Sequence, residues 1–517
     1  MRKSNLFVGA LLLCVLTLFT GCKEVMGSLD NPVNSYFELT ETTTKIYRGQ
    51  TYQIKYTTIS DAKPVFKSAD EKIALVDPNT GVITGANKGK TKITVELPAT
   101  TNYNAASKEF EVEVDALLSL PATEKEIAKG ATYDLGVKCE SDGVVTYKSS
   151  NTEVATVDNT GKVTAVAYGD ATITVSVAAT PKFDRSEEAT FTAKVRVLEA
   201  SQLTKAIEDK VELILLAANA TITLEKAIKP TVNTVIKGEE NKPANISIKK
   251  NFEIKTNFTL ENVKVDASGN GDKAFIKMAT PSFAANAKGY FLLDNIILRN
   301  VVITNVKGSL IYDNKVQYCV KDLTIDNCIL DFETVVDQPN NSALISFQGG
   351  GVKDFTIKNS TVYGNGTPNG KNGTYFLRYS NQVDPARFGL DDADTWSFNY
   401  YKNTFYNVTT GNWSNVSRIN NVKTRTIFNV ENNIWVDCGN GQIAQRMQNQ
   451  QTGFKTTNFV SNTYWKGSSA IDQTTYTNGE VALKTNPAFK DASNADFTPT
   501  GADQVAKQTG DPRWFKK

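Results

Sequence analysis

The chain has 517 residues, with 57 Lys and Arg against 55 Asp and Glu, and no histidine. That length exceeds one ordinary domain, and the near-neutral balance offers no basic excess to neutralise phosphates, which argues against nucleic acid as a partner. The missing histidine excludes Ser-His-Asp and Cys-His machinery and His-ligated zinc. Any chemistry would fall to carboxylates, Lys, Arg, Tyr or a hard metal ion.

The chain opens with basic Arg2 and Lys3 and then an apolar stretch from Leu6 to Phe19. This has the length of a secretory h-region and falls short of the roughly 20 residues that span a bilayer. The run ends Leu18-Phe19-Thr20-Gly21-Cys22, which resembles the lipobox of bacterial lipoproteins, with Phe19 where Leu is usual. The resemblance implies a signal peptide over 1–22, lipidation of Cys22 and a tether over 23–32. Loss of Arg2 and Lys3 takes the formal charge of +2 to zero. No later apolar segment is long, so the chain is expected to be anchored by lipid rather than to span, and several acyl chains would make that stable. Lys23 follows the cysteine where inner-membrane retention favours Asp. The expected location is the outer membrane, at the cell surface, with the leaflet left open. Cys139, Cys319, Cys328 and Cys438 form no CxxC pair; free buried thiols are expected, and a Cys319–Cys328 bridge stays open.

An internal repeat comes next. One copy runs from Ser68 to Asp77, then Gly81-Val-Ile-Thr-Gly and Gly89-Lys-Thr-Lys-Ile-Thr-Val95. The other runs from Ser149 to Asp158, then Gly161-Lys-Val-Thr-Ala and Gly169-Asp-Ala-Thr-Ile-Thr-Val175. Period-2 alternation and the turns Asp-Pro-Asn-Thr-Gly and Asp-Asn-Thr-Gly predict short strands in two β-sandwiches, over 33–115 and 116–199. The pattern closely resembles the group 2 bacterial immunoglobulin-like domain, commonly a spacer or adhesion module. Gly89-Lys90-Thr91 is no phosphate loop, since Thr84 stands where the earlier glycine is needed.

Beyond residue 200 Asn becomes frequent. An apolar residue, any residue, Asn, two residues and an apolar or aromatic residue recur around Asn262, Asn300, Asn327, Asn359, Asn403, Asn432 and Asn462. The intervals of 38, 27, 32, 44, 29 and 30 residues fit coils lengthened by loops, and the spacing predicts a parallel solenoid over 200–517. Asn tolerates a left-handed turn, and stacked coils would align these amides into a ladder. A short amphipathic helix near Leu203–Ile207 should close one end, because an exposed edge invites pairing. Gly510-Asp-Pro-Arg-Trp514 closes the chain. The expected fold is all-β: two Ig-like β-sandwiches and then a right-handed parallel β-helix. The layout resembles β-helix lipoproteins encoded with glycan-utilisation systems of Gram-negative gut bacteria. These carry paired domains of unassigned function and look like distant relatives of pectate-lyase-type proteins.

The longest interval, between Asn359 and Asn403, holds Tyr375, Arg378, Tyr379, Asp384, Arg387, Asp391, Asp392, Asp394 and Trp396, and the next loop holds Trp413 and Arg418. Aromatic faces cover the C–H face of a pyranose, and Arg adds planar charge-assisted bonds to uronate carboxylates. Tyr375, Arg378, Tyr379, Arg387, Trp396, Trp413 and Arg418 are the glycan-binding candidates; Trp435, Trp465 and Trp514 read as structural. Asp384, Asp391, Asp392 and Asp394 are candidates for Ca²⁺, although an acidic loop also reads as a solvated one. No cofactor is required. The reading favoured is a non-catalytic, surface-anchored protein that binds polysaccharide, pectin-like and acidic among the options, and the resemblance implies an outer-membrane glycan importer as a neighbour. A Ca²⁺-dependent lyase or a glycoside hydrolase is one alternative, although no pectate-lyase catalytic signature matches. A structural or adhesive protein is the other, favoured if Trp396, Trp413 and the Arg cluster prove buried or scattered.

Overall fold

The computed structural model describes residues 32–183, 186–272, 274–333, 343–364, 375–380, 395–409, 413–415, 422–439, 441–447, 456–477 and 479–515. It is all-β. The chain divides into two compact units, one of residues 1–125, 132–164 and 171–193, the other of 126–131, 165–170 and 194–517.

In the first repeat Thr43–Tyr47, Ala106–Asp115, Gly89–Leu97 and Val65–Ser68 form one sheet in that order, and Thr51–Gln53, Val82–Gly85 and Ala74–Val76 form a second. Alternate residues of these strands, among them Ile46, Phe66, Ile83, Ile93, Val95, Phe110 and Val112, make the core. The second repeat has the same two strand orders. The turn, Asp-Pro-Asn-Thr-Gly in the first repeat and Asp-Asn-Thr-Gly in the second, has a physical reason. Asp77 Oδ1 accepts the backbone N–H of Asn79 and Thr80 at 2.9 and 2.8 Å, and Gly81 follows at φ +71°. A Cβ at Gly81 would lie 2.5 Å from the Phe66 ring. Asp158 and Gly161 repeat the device.

Beyond residue 200 the chain stacks coil on coil in parallel ladders. A long ladder runs through Thr234–Lys237, Phe258–Asp266, Phe291–Val306, Tyr318–Asp326, Gly351–Lys358, Trp396–Tyr401, Thr426–Glu431 and Thr456–Val460. Each coil turns after it into a second ladder, which ends with Ile329–Phe332, Thr361–Gly364, Thr404–Tyr406, Ile434–Val436 and Thr463–Lys466. A third contains Phe252–Ile254, Ala274–Met278, Ser309–Tyr312, Ala343–Phe347, Tyr375–Tyr379 and Ser414–Asn415. One apolar core fills the interior, and the predicted helix, Ala200–Glu208, adds Leu203, Ala206 and Ile207 to it.

The asparagines form two ladders rather than one. Asn262, Asn300, Asn327, Asn359 and Asn432 occupy the left-handed turn, at φ 51° to 56°. Asn300 donates to Asn262 Oδ1 and Asn327 to Asn300 Oδ1, both at 2.8 Å, whereas Asn359 turns to Asp326 Oδ1 at 3.3 Å. In two later coils the left-handed residues are Lys402 and Ser461, so Asn403 and Asn462 stand one place further and point inward. Their partner is Asn433, not Asn432, which corrects the expected ladder. Asn403 Nδ2 donates to Asn433 Oδ1 at 2.8 Å, and Asn433 Nδ2 to Asn462 Oδ1 at 3.0 Å. Ser360 heads this buried ladder through its N–H to Asn403 Oδ1, and Glu480 ends it by accepting from Asn462 N, Asn462 Nδ2 and the Tyr464 hydroxyl. A fully buried amide is tolerable only because each rung satisfies the next.

The closing segment runs back over these coils. Gln504 Nε2 donates to Thr463 Oγ1, Gly510 N to Asn432 O and Asp511 N to Thr404 Oγ1. Thr361 Oγ1 donates to Asp511 Oδ2, and Arg513 Nη2 reaches Asn327 Oδ1, Cys328 O and Asn359 O at 3.0 to 3.2 Å. Gly510 has φ +106°, and a Cβ there would sit 2.8 Å from Thr404 Oγ1, so only glycine fits. Phe489 and Phe497 pack on Tyr406, Phe497 also on Tyr363, and Trp514 meets Phe497 edge-on beside it. The four described cysteines are free thiols, so Cys319 and Cys328 are not bridged, and burial pushes Cys328 and Cys438 up to about 12.

Candidate functional site

The structure removes three of the glycan-binding candidates. Trp396 opens a strand whose alternate residues Trp396, Phe398 and Tyr400 face the core, and it is 0% exposed. Trp413, also 0% exposed, stacks on Phe376 at 4.6 Å and meets Phe405 edge-on at 4.9 Å. Tyr379, equally buried, donates its hydroxyl to Val352 O at 2.8 Å. None of these rings can cover a sugar; they fill the wide interior of the later coils, where Phe405, Trp435 and Tyr464 stack in register. Arg387, Arg418, Asp384, Asp391, Asp392 and Asp394 lie outside the described residues, as does Cys22.

Tyr375 and Arg378 remain, and the third ladder brings them to one place. The Arg378 guanidinium lies 4.8 Å from the centre of the Tyr375 ring, a cation–π stack that holds the fork in a fixed plane. Register places Arg378 beside Ser346, Ser346 beside Tyr312 and Tyr312 beside Lys277. On either side of this column the residues are buried apolar ones: Ile276, Ile311, Ile345 and Leu377 on one, Met278, Phe347 and Tyr379 on the other. Lys277, Tyr312 and Arg378 are thereby turned partly outward, whereas Ser346 between them stays buried. Beside them Asp313 is fully buried and accepts backbone N–H groups of Lys315, Gln348, Gly349 and Gly350 at 2.7 to 3.1 Å. Burial nonetheless pushes its carboxyl up, and burial together with Asp313 raises Tyr312. Asp313 fixes the turn that carries the column; its Tyr-Asp-Asn-Lys setting gave no sign of this.

The outward face of the long ladder is different in kind. One column reads Lys237, Glu261, Arg299, Asp326 and Lys358, with oppositely charged neighbours 3.0 to 3.9 Å apart. Beside it Asn429 donates to Asn399 and Asn399 to Thr356. That face satisfies itself along the stack. A groove at its start is also saturated, with Arg196 on Asp170 at 2.7 Å and Lys237 on Glu261 at 3.0 Å. In the third-ladder column, Ser346 Oγ and Arg378 Nε are buried without a hydrogen-bond partner. Among the described residues no group of three or more acidic or cysteine side chains could hold a metal ion.

The fold and this site define an all-β protein of extracellular-type modules. Residues 35–107 and 118–183 match the bacterial Ig-like domain (group 2), and the chain carries two such domains. Residues 218–365 match a domain of unknown function, DUF4957, and residues 398–514 another, DUF5123. No curated protein matches the chain. Among solved structures, the S-layer protein SbsC domains 4 and 5 are 18% identical, with 32% of this chain and 99% of that one covered at a TM-score of 0.16. Drosophila N-cadherin EC1-4 is 14% identical over 32% of this chain and 50% of its own, at 0.16. The Clostridium thermocellum CbhA fibronectin(III)-like modules are 15% identical over 31% and 94%, at 0.13. Scores this low carry no argument.

Proposed function

We propose that this is an exported, lipid-anchored, non-catalytic protein that binds polysaccharide on the outward face of the third ladder. The observation that carries the reading is the Tyr375–Arg378 stack in register with Ser346, Tyr312 and Lys277. An aromatic ring beside a planar donor fork suits a pyranose with polar substituents. In this reading Cys22 carries the lipid, the Ig-like domains are spacers, the ladders wind as a right-handed parallel β-helix, and an outer-membrane importer receives the glycan. Affinity electrophoresis of the folded chain on pectins, host glycans and neutral glucans tests it. Retardation on at least one, lost in Tyr375→Ala and Arg378→Ala, is expected; migration unaffected by all of them removes the reading. Burial of Trp396 and Trp413 favours the second reading, a structural or adhesive protein, and that same negative result would leave it standing.

A further inference from the structure

We infer that Arg378, Ser346 and Ser380 form a subsite for an oxyanion carried by the bound polysaccharide; the inference rests on the reading that this face binds glycan. Ser346 is 2% exposed, and its Oγ has no hydrogen-bond partner. Arg378, beside it in register on the next coil, has a buried Nε that is likewise unpartnered. Ser380 lies two residues beyond Arg378, and its backbone N–H goes to Phe347 O, but its Oγ has no partner. Buried polar groups in native proteins are nearly always bonded, and each exception asks for an explanation. Here three exceptions fall together.

The chemistry of the missing partner follows from the donors. Arg378 Nε can only donate, and two serine hydroxyls can rotate to donate as well. What satisfies all three at once is an acceptor with several lone pairs and a negative charge. Adjacent strands stand about 4.8 Å apart, so neighbouring side chains in such a column can reach two oxygens of one carboxylate or sulfate. The Tyr375 ring fixes the guanidinium plane, and Lys277, which makes no ion pair among the described residues, adds positive charge to the same column. The long-ladder face has its own carboxylates opposite its cations and leaves no such demand.

The test uses the full chain with three polymers: polygalacturonate, dextran sulfate and unmodified dextran. The expected result is binding of an anionic polymer at least about tenfold tighter than dextran, the scale of one charge-assisted hydrogen bond. Polygalacturonate alone would identify a carboxylate, and dextran sulfate alone a sulfate. Arg378→Gln should abolish the preference, and Ser346→Ala should reduce it several-fold with melting unchanged. Should Arg378→Gln fail to fold, Arg378→Lys keeps the charge but loses the fork, and it too should lose most of the preference. Equal binding of dextran, or a preference untouched by all three substitutions, overturns the subsite while the polysaccharide reading stands. No binding to any polymer, neutral glycans included, removes both.

Discussion

Asn432 and Asn433 are adjacent and chemically identical, yet they do different work. Asn432 sits in the left-handed turn at φ 56°. Asn433 is fully buried, accepts from Asn403 N and Nδ2, and donates to Tyr400 O, Glu431 O and Asn462 Oδ1. Asn432→Ala should cost about 1 kcal/mol, because alanine lacks the short polar side chain with which asparagine tolerates a left-handed turn, and Asn432→Gly almost nothing. Asn433→Ala strands the Asn403 N–H in the interior and should cost about 3 kcal/mol. Urea denaturation of the two variants settles the register; equal costs, or a larger one at Asn432, would contradict the buried ladder. The sequence motif located the turns but not this choice. Lys402-Asn403 and Ser461-Asn462 put the asparagine one place past the turn, and the Asn432-Asn433 doublet satisfies both registers. The burial of Trp396 and Trp413 is hidden in the sequence for a related reason. Trp396 lies next to a long insertion, which suggested a loop, whereas it opens a strand in register with Thr426. Trp396→Ala should therefore lower stability by about 3–5 kcal/mol, as loss of a large core side chain does. A variant that melts like the parent but loses ligand would restore it to a binding surface.

The closing segment is an element whose sequence announced its presence but not its route. Gly510-Asp-Pro-Arg-Trp514 reads as a turn; only the fold shows Asp511 between Thr361 and Thr404 and Arg513 on the turns of Asn327 and Asn359. Burial pushes Asp511 up to about 6 from its ordinary 3.8, with Arg513 pulling the other way. The folded value thus exceeds the unfolded one, and the native state holds this proton more firmly. The stabilisation is fully present below pH 3.8 and is lost as pH rises through about 6, amounting to at most about 3 kcal/mol. Other carboxyls shift both ways: Glu480 is raised by burial, whereas hydrogen bonds from Thr80 and Asn79 lower Asp77. The measurement is therefore the difference in unfolding free energy between the parent and Asp511→Asn across pH 4 to 8. The parent's advantage should shrink from pH 4 to 7 and then stay flat. A difference that is constant, or that grows with pH, would show that Asp511 is charged throughout.

At the scale of the whole molecule the proposal places the chain at a membrane, and the means of attachment has to be argued. Among the described residues no helix is long and apolar enough to cross one. Loss of Arg2 and Lys3 would leave 55 basic against 55 acidic residues, so a general electrostatic hold on anionic lipid has nothing to act through. The proposal therefore gives the whole attachment to lipid on Cys22. One acyl chain holds a protein only marginally, whereas two or more hold it stably, so attachment should behave as all-or-none at this cysteine. In a Gram-negative host fed labelled palmitate, the parent chain should incorporate label and enter the detergent phase on Triton X-114 separation. Cys22→Ser should incorporate none and stay aqueous if its signal is cleaved elsewhere, or persist as a longer precursor. Cys14→Ser, inside the same apolar run, should behave as the parent does. Label retained in Cys22→Ser would assign the attachment elsewhere, and a parent chain that is unlabelled and aqueous would remove the lipid anchor from the proposal.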